Sequence, residues 1–171
     1  MNLFEQDDEI IRTLGFYQPF GSLMLHGKIE TRWARVDRKL SFPLGKYLFY
    51  TTKKSCDSAQ LWEWSGSDII NRINSILLDE PTKNLTGWAI GIGELTSTRL
   101  MNREDEENCF VLYASTDFRK DKNEVYHEYH QFCLHFENVK RIMPFEFKFG
   151  KQGVGILPES ERPKINLVIS Q

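Results

Sequence analysis

Apolar positions in this chain recur mostly in short runs of period two, broken by Gly, Pro and acidic turns, and at sustained helical spacing in one later stretch. Residues 10–17, IIRTLGFY, read as a strand that ends at a proline-marked turn. PFGSLMLH then reads as one short helix. Pro19 suits a first helical turn, Leu23, Met24 and Leu25 supply its apolar surface, and Gly27 is a good terminator just past the end. In KIETRWARV, Lys28, Glu30, Arg32 and Ala34 share one face while Ile29, Thr31, Trp33 and Arg35 share the other, so this stretch predicts a strand. GKYLFYTTKK alternates Tyr47, Phe49 and Thr51 with Leu48, Tyr50 and Thr52 and predicts another.

From Asp57 to Leu78 the residues Ile69, Ile70, Ile73, Ile76 and Leu77 recur at helical spacing, with a break expected at Ser65-Gly66 and Ser67 or Asp68 able to cap the second part. DEPTKNLTG reads as a loop. WAIGIGELTSTRLM is strand-like, and Gly91 and Gly93 in it point to a bulge, a tight barrel bend or the close approach of a ligand. NCFVLYAS and YHQFCLHFENVKRI predict further strands, with TDFRKDKNE a solvated turn between them. FKFGKQGVGILPES and KINLVIS predict a final hairpin that closes the sheet. Six or more short strands with two inserted helices imply an α+β, mainly β fold, a small barrel or strongly curved sheet with helical caps. A chain of 171 residues fits one domain, with a core over about 10–170, a helical insertion at 57–78 and an extension at 1–9.

Composition changes this picture little. No apolar run reaches the length a spanning helix needs, and MNLFEQDDEI is acidic where a secretory signal is basic and then apolar, so a cytoplasmic protein is the default. Cys56, Cys109 and Cys133 are odd in number and widely spaced, against a disulfide framework or a CxxC zinc site. The net charge of −2 gives no global nucleic-acid signature. Charge is nonetheless uneven. Between Lys28 and Lys54, Lys28, Arg32, Arg35, Arg38, Lys39, Lys46, Lys53 and Lys54 stand against Glu30 and Asp37, eight basic residues less two acidic, or +6. The compensating acid sits near the start and in REDEEN, Arg103 to Asn108.

The charged strand carries the candidate chemistry. Gln18-Pro19-Phe20, the short apolar helix, Gly27, Lys28, then Glu30-x-Arg32 and Trp33, followed by Gly45 and a strand with Lys53-Lys54, resemble the ASCH domain of the PUA-like β-barrel superfamily. TGWAIGIGELTSTRLM and MPFEFKFGKQGVGIL, with its Gly-x-Gln-Gly turn, resemble its central and closing segments, so the likeness covers roughly residues 13 to 157. In layout it is closest to the variant attached to eukaryotic transcription coactivators. The resemblance implies a small PUA-like β-barrel and a pocket that takes RNA, a nucleotide or a modified nucleoside. One bacterial branch hydrolyses the amide of acetylated cytidine with a lysine, a threonine and a glutamate. Here Lys28 precedes Glu30 by two and Arg32 by four, one residue fewer than in many ASCH sequences. Anchoring on Arg32 and Trp33 puts Glu30 at the threonine site and displaces Lys28. Anchoring on Lys28 matches Thr31 to the threonine, on the opposite face of the strand. The family's acid falls among Glu104, Glu106 and Glu107.

The expected ligand-binding set is therefore Tyr17, Gln18, Pro19, Phe20, Lys28, Glu30, Arg32, Trp33 and Lys53. Trp33 and Tyr17 could stack on a base; Phe20, on the inward side of its helix, reads as core. Gln18 could read a base edge or cap the helix start, and Lys53 with Lys54 could meet phosphates at a rim. If the protein is an enzyme, an amidohydrolase or nuclease, Lys28, Glu30, Thr31 and Glu104 carry the chemistry, with a desolvated lysine as base. A third reading is a protein-interaction module. No cofactor is implied. His127, His130 and His135 lack metal-site spacing, and GIGEL lacks the spacing of a dinucleotide loop. Glu94 could face the pocket or the outer side, and a monomer is the default.

Overall fold

The computed structural model describes residues 10–37, 42–148, 154–166 and 168. Its strands are β1 (Arg12–Phe16), β2 (Glu30–Arg35), β3 (Gly45–Thr51), β4 (Trp88–Leu100), β5 (Asp117–Lys120), β6 (Tyr126–Glu146) and β7 (Val154–Ile156). Its helices are α1 (Phe20–Met24), α2 (Ser58–Ile76) and α3 (Glu106–Cys109). One sheet runs in the order β2, β6, β4, β3, β1, β7, with β5 attached to β6. β1 and β3 are parallel and the other pairs antiparallel.

β4 and β6 are 13 and 21 residues long, and their pairing slips register between Ala89 and Gly91, Ile92 and Glu94, and Leu95 and Ser97. Such slips raise the local twist. The sheet accordingly curls into a half-barrel and carries β2 round toward β1, giving the mainly β, α+β architecture expected from the sequence. What comes close to Gly91 and Gly93 is the protein's own core. A Cβ at Gly91 would lie 2.4 Å from the Leu25 side chain, and one at Gly93 would lie 2.7 Å from the Phe49 ring.

Alternation along β3 sends Tyr47 and Phe49 to the inner face, where they pack with Leu14, Phe16, Met24, Ile90, Leu95 and Leu134. The rings meet edge to face, Phe49 with Phe136 at 4.9 Å and with Phe16 at 5.4 Å. Each such side chain contributes about 1.5–3 kcal/mol by leaving water. Leu48 and Tyr50 point the other way, into a second core with Ile11, Ala89, Ile142, Phe147, Leu157 and Ile165. α2 starts on a capping box made by Asp57 and Gln60 and turns sharply at Gly66, whose φ of 70° and ψ of 172° lie outside the helix. Ile69, Ile73 and Leu77 then lie against Leu23 of α1. Among the described residues no helix is long and apolar enough to cross a membrane.

Four expectations need correction or fall outside the described residues. NCFVLYAS is no strand: Cys109 ends α3, and Phe110 closes it in the left-handed region at φ 57°. The donors that follow find partners off any ladder. Leu112 N–H donates to the Trp64 carbonyl, Tyr113 N–H to Glu106 Oε1 and Ala114 N–H to Gln131 Oε1. An unbroken apolar run does not by itself distinguish strand from helix and turn. TDFRKDKNE contains β5, joined to β6 by a turn in which the Asp121 carboxylate accepts the N–H groups of Asn123 and Val125. In place of a closing hairpin, β7 pairs with β1, and Glu159–Lys164 is a 3-10 turn. Asn166 and Val168 bond the backbone of Met143 and Arg141 along β6. The Gly-x-Gln-Gly turn, Arg38, Lys39 and the acidic start lie outside the described residues.

Candidate functional site

The curl of the sheet leaves a seam between β2 and the end of β1. Among the described residues β7 pairs with Arg12 to Leu14 of β1. Arg32 spans the seam: its Nη2 donates to the Gly15 carbonyl at 2.8 Å, and its guanidinium lies 5.6 Å from the centre of the Phe16 ring. Gly15 is required here, because a Cβ would lie 2.6 Å from the Tyr50 ring.

Register decides which residues of β2 face the seam. Glu30 pairs with Leu134 of the inner core and Arg32 with Phe132, whereas Thr31 pairs with Cys133 and Trp33 with Gln131 on the other face. Glu30 is 8% exposed. Its carboxylate stands 3.2 Å from Arg32 Nε, but that contact is misaligned for hydrogen bonding, and Arg32 Nε is buried without a hydrogen-bond partner. Burial pushes the Glu30 carboxyl above the usual carboxylate range, and the charge of Arg32 offsets only part of the effect. The seam thus holds an acceptor and a donor side by side, neither of them saturated.

α3 forms the next wall. Ile29 N–H donates to the Asn108 carbonyl, and the Lys28 ammonium lies 5.3 Å from the centre of the Phe110 ring. Arg72 of α2 covers the same ring at 5.6 Å and pairs with Glu107 at 3.4 Å. Ser65 Oγ donates to the Phe110 carbonyl at 2.6 Å, tying the kink of α2 to α3. Burial, then the charge of Asp57 and last that of Glu30, pushes the Cys56 thiol up to about 11.

The other expected residues are distributed differently. Gln18, joined to Pro19 by a cis peptide, is buried and fully used: its amide donates to the carbonyls of Thr82 and Leu85, and its Oε1 accepts the N–H and hydroxyl of Ser22. It anchors α1 and has no free edge for a base. Pro19 precedes α1 as its N-cap. Phe20 and Tyr17 lie against Trp64 at 6.2 and 6.3 Å between ring centres; Tyr17 stays 43% exposed. Trp33, on the face away from Glu30, is covered by Arg119. Lys53 is exposed just beyond β3. Glu104 is exposed on a 3-10 turn, while Glu106 accepts the Tyr113 N–H. Thr31 pairs with Cys133, on the face of β2 away from Glu30. Glu94 lines a different cavity of about 200 Å³, with Ile11, Lys46, Tyr47, Ile92 and Lys140. Among the described residues no cluster of His, Cys, Asp or Glu could hold a metal; His127 pairs with Asp121 and His130 with Glu128.

The structure also reveals a cluster the sequence did not announce. Glu80 is buried in the loop after α2, and its carboxylate accepts five hydrogen bonds: the N–H and hydroxyl of Thr82 at 3.1 and 2.8 Å, Arg141 at 2.8 and 2.5 Å, and His26 at 2.7 Å. Burial alone would raise its pKa, but the bonds from Arg141, Thr82 and His26 outweigh it and hold the carboxyl at about 2. Nothing in the spacing of His26, Glu80 and Arg141 marks the group, because its members come from three distant segments.

The fold and seam together define a small, mainly β half-barrel with a charged opening between its first two strands. No family model and no curated protein matches this sequence. Among solved structures it is similar to the ASCH protein of Zymomonas mobilis, at 11% identity over 90% of this chain and 92% of that one, with a TM-score of 0.44. Two single-residue variants of the same protein align over 94% and 92% of their length with a TM-score of 0.48, again at 11% identity.

Proposed function

We propose that this chain is an ASCH-type binding domain that takes RNA, a nucleotide or a modified nucleoside in the seam around Lys28, Glu30 and Arg32. The observation that carries this reading is the unsaturated pair on the seam floor. Glu30 offers acceptor oxygens and Arg32 Nε a donor, an arrangement complementary to the edge of a base that presents a donor beside an acceptor. Lys28 and Arg72, seated on Phe110, supply positive charge for a phosphate, and Tyr17 beside Trp64 supplies an exposed ring for stacking.

A hydrolase reading keeps one point in its favour. A carboxyl whose pKa burial has raised holds a proton to a higher pH than an ordinary one, so Glu30 is a candidate general acid or base. Thr31 lies on the face of β2 away from Glu30, which supports binding over turnover.

The test is melting-temperature shift and product chromatography of the protein with short RNAs, nucleotides and a nucleoside panel that includes N4-acetylcytidine. A ligand that raises the melting temperature of the wild type is expected to bind Glu30→Gln about 10-fold or more weakly, the worth of a hydrogen bond to a charged group. Lys28→Ala should weaken RNA binding and flatten its salt dependence. Wild-type affinity in Glu30→Gln would rule the seam out. Product formation lost in both variants would replace binding with hydrolysis.

A further inference from the structure

The other face of β2 holds a second chemical feature. Cys109, the last residue of α3, and Cys133, in the middle of β6, place their sulfurs 3.6 Å apart. Both thiols are free and buried, and they pack with Met101, Ile29, Val111 and Tyr113. We infer that Cys109 and Cys133 form a reversible thiol–disulfide pair whose oxidation draws α3 onto β6 and resets the wall of the seam.

The geometry asks for a small movement. A disulfide needs the sulfurs at about 2.05 Å, an approach of roughly 1.5 Å from their present contact. Cys133 is held in ladders on both sides, opposite Thr31 of β2 and Arg99 of β4, so the sheet is the fixed partner. α3 is four residues long and is the part that yields. Contact with Cys133 and burial keep the Cys109 thiol protonated, so oxidation waits on a local opening of α3.

The chemistry balances with a two-electron oxidant such as hydrogen peroxide. One sulfur takes an oxygen from the peroxide to become a sulfenic acid and releases water; the second sulfur then displaces that hydroxyl as water and forms the S–S bond. Two S–H bonds are lost and a thiol reductant restores them.

The consequence for the seam follows from the neighbours of Cys109. Asn108 holds the backbone of Ile29, and Phe110 carries Lys28 on its ring and Ser65 on its carbonyl. A shift of α3 therefore moves the lysine that leads into β2. Its effect on ligand affinity rests on the proposed function, but its effect on Lys28 does not.

The experiment treats the full chain with hydrogen peroxide or with dithiothreitol, alkylates the remaining thiols under denaturing conditions, and maps them by mass spectrometry. In parallel, Lys28 labelling by an amine reagent is followed in the folded protein. The expected result is a Cys109–Cys133 link with Cys56 free, reversed by dithiothreitol, together with a rise in melting temperature and at least a twofold change in Lys28 labelling. Cys109→Ser should abolish all three. It lies on the short helix, so it serves as the control even if Cys133→Ser fails to fold. Full alkylation of both thiols after peroxide, or a bridge through Cys56 or to a second copy, overturns the inference. A bridge that leaves Lys28 labelling unchanged overturns the coupling to the seam. Because labelling is read without ligand, a failure of the ligand assignment alone leaves this result standing.

Discussion

Glu80 and Glu30 are both buried carboxylates beside an arginine, and the protein treats them in opposite ways. Glu80 accepts five hydrogen bonds from Thr82, Arg141 and His26, and its carboxyl is held at about 2. Glu30 has one misaligned guanidinium, and burial drives its carboxyl upward. Burial is common to the two sites; the number and alignment of donors is what differs. A saturated carboxylate has no bond to offer a ligand and ties three segments of chain together. An unsaturated one costs stability and leaves acceptor oxygens uncommitted.

The comparison can be broken most forcefully at Glu80. Glu80→Ala strands Arg141 and the Thr82 N–H, and should destabilise the protein by about 3–5 kcal/mol in urea unfolding. A loss under 1 kcal/mol would show that the five bonds do not act as a staple.

Acid should separate the two groups by sign. The folded pKa of Glu80 is lowered from 4.5 to about 2, so its contribution, on the order of 3 kcal/mol, is present above the unfolded value and disappears as pH falls from 4.5 toward 2. The folded pKa of Glu30 is raised, so acidification through that value adds stability until pH reaches the ordinary 4.5. Unfolding across this pH series should show a shallower acid limb in Glu80→Gln and the loss of the opposing rise in Glu30→Gln. A wild-type profile in both variants would refute the assignment.

Arg32→Ala removes the bridge to Gly15 and leaves Glu30 without its cation. It should cost about 2 kcal/mol by calorimetry, less than Glu80→Ala because the Arg32 side chain is 28% exposed, against 1% for Glu80. Glu30→Gln has the smallest expected effect on stability, within about 1 kcal/mol of the wild type and in the stabilising direction, since it removes a poorly compensated buried charge. If it unfolds the protein, Glu30 is a staple like Glu80 and the seam loses its claim as a binding site.

Local chemistry was legible where it acts over a few residues. Gly27, at φ 69°, closes the turn after the short helix, the Asp57–Gln60 box starts the long one, and Gly66 breaks it, as their residue types require. The alternation in β2 separated Lys28, Glu30 and Arg32 from Thr31 and Trp33, and the ladder with β6 places Glu30 and Arg32 on one face and Thr31 and Trp33 on the other. Gln18 was ambiguous because its amide can serve a base or a backbone with equal chemistry; only the position of Thr82 and Leu85 decides. NCFVLYAS misled because hydrophobicity reports burial, and Phe110 is buried beneath α2 without belonging to a ladder.

The sequence by itself determined the strand and helix succession through most of the chain, the turn residues and the alternation that puts charges on one face of β2. These depend on neighbours within a turn or a strand, where backbone sterics and periodicity act. The tertiary structure alone decided that Arg32 reaches Gly15, that Lys28 and Arg72 share Phe110, that Cys109 meets Cys133 and that Glu80 gathers His26 and Arg141. Each of those contacts joins positions far apart in the chain, and bulges in β4 and β6 set the curl that brings β2 toward β1.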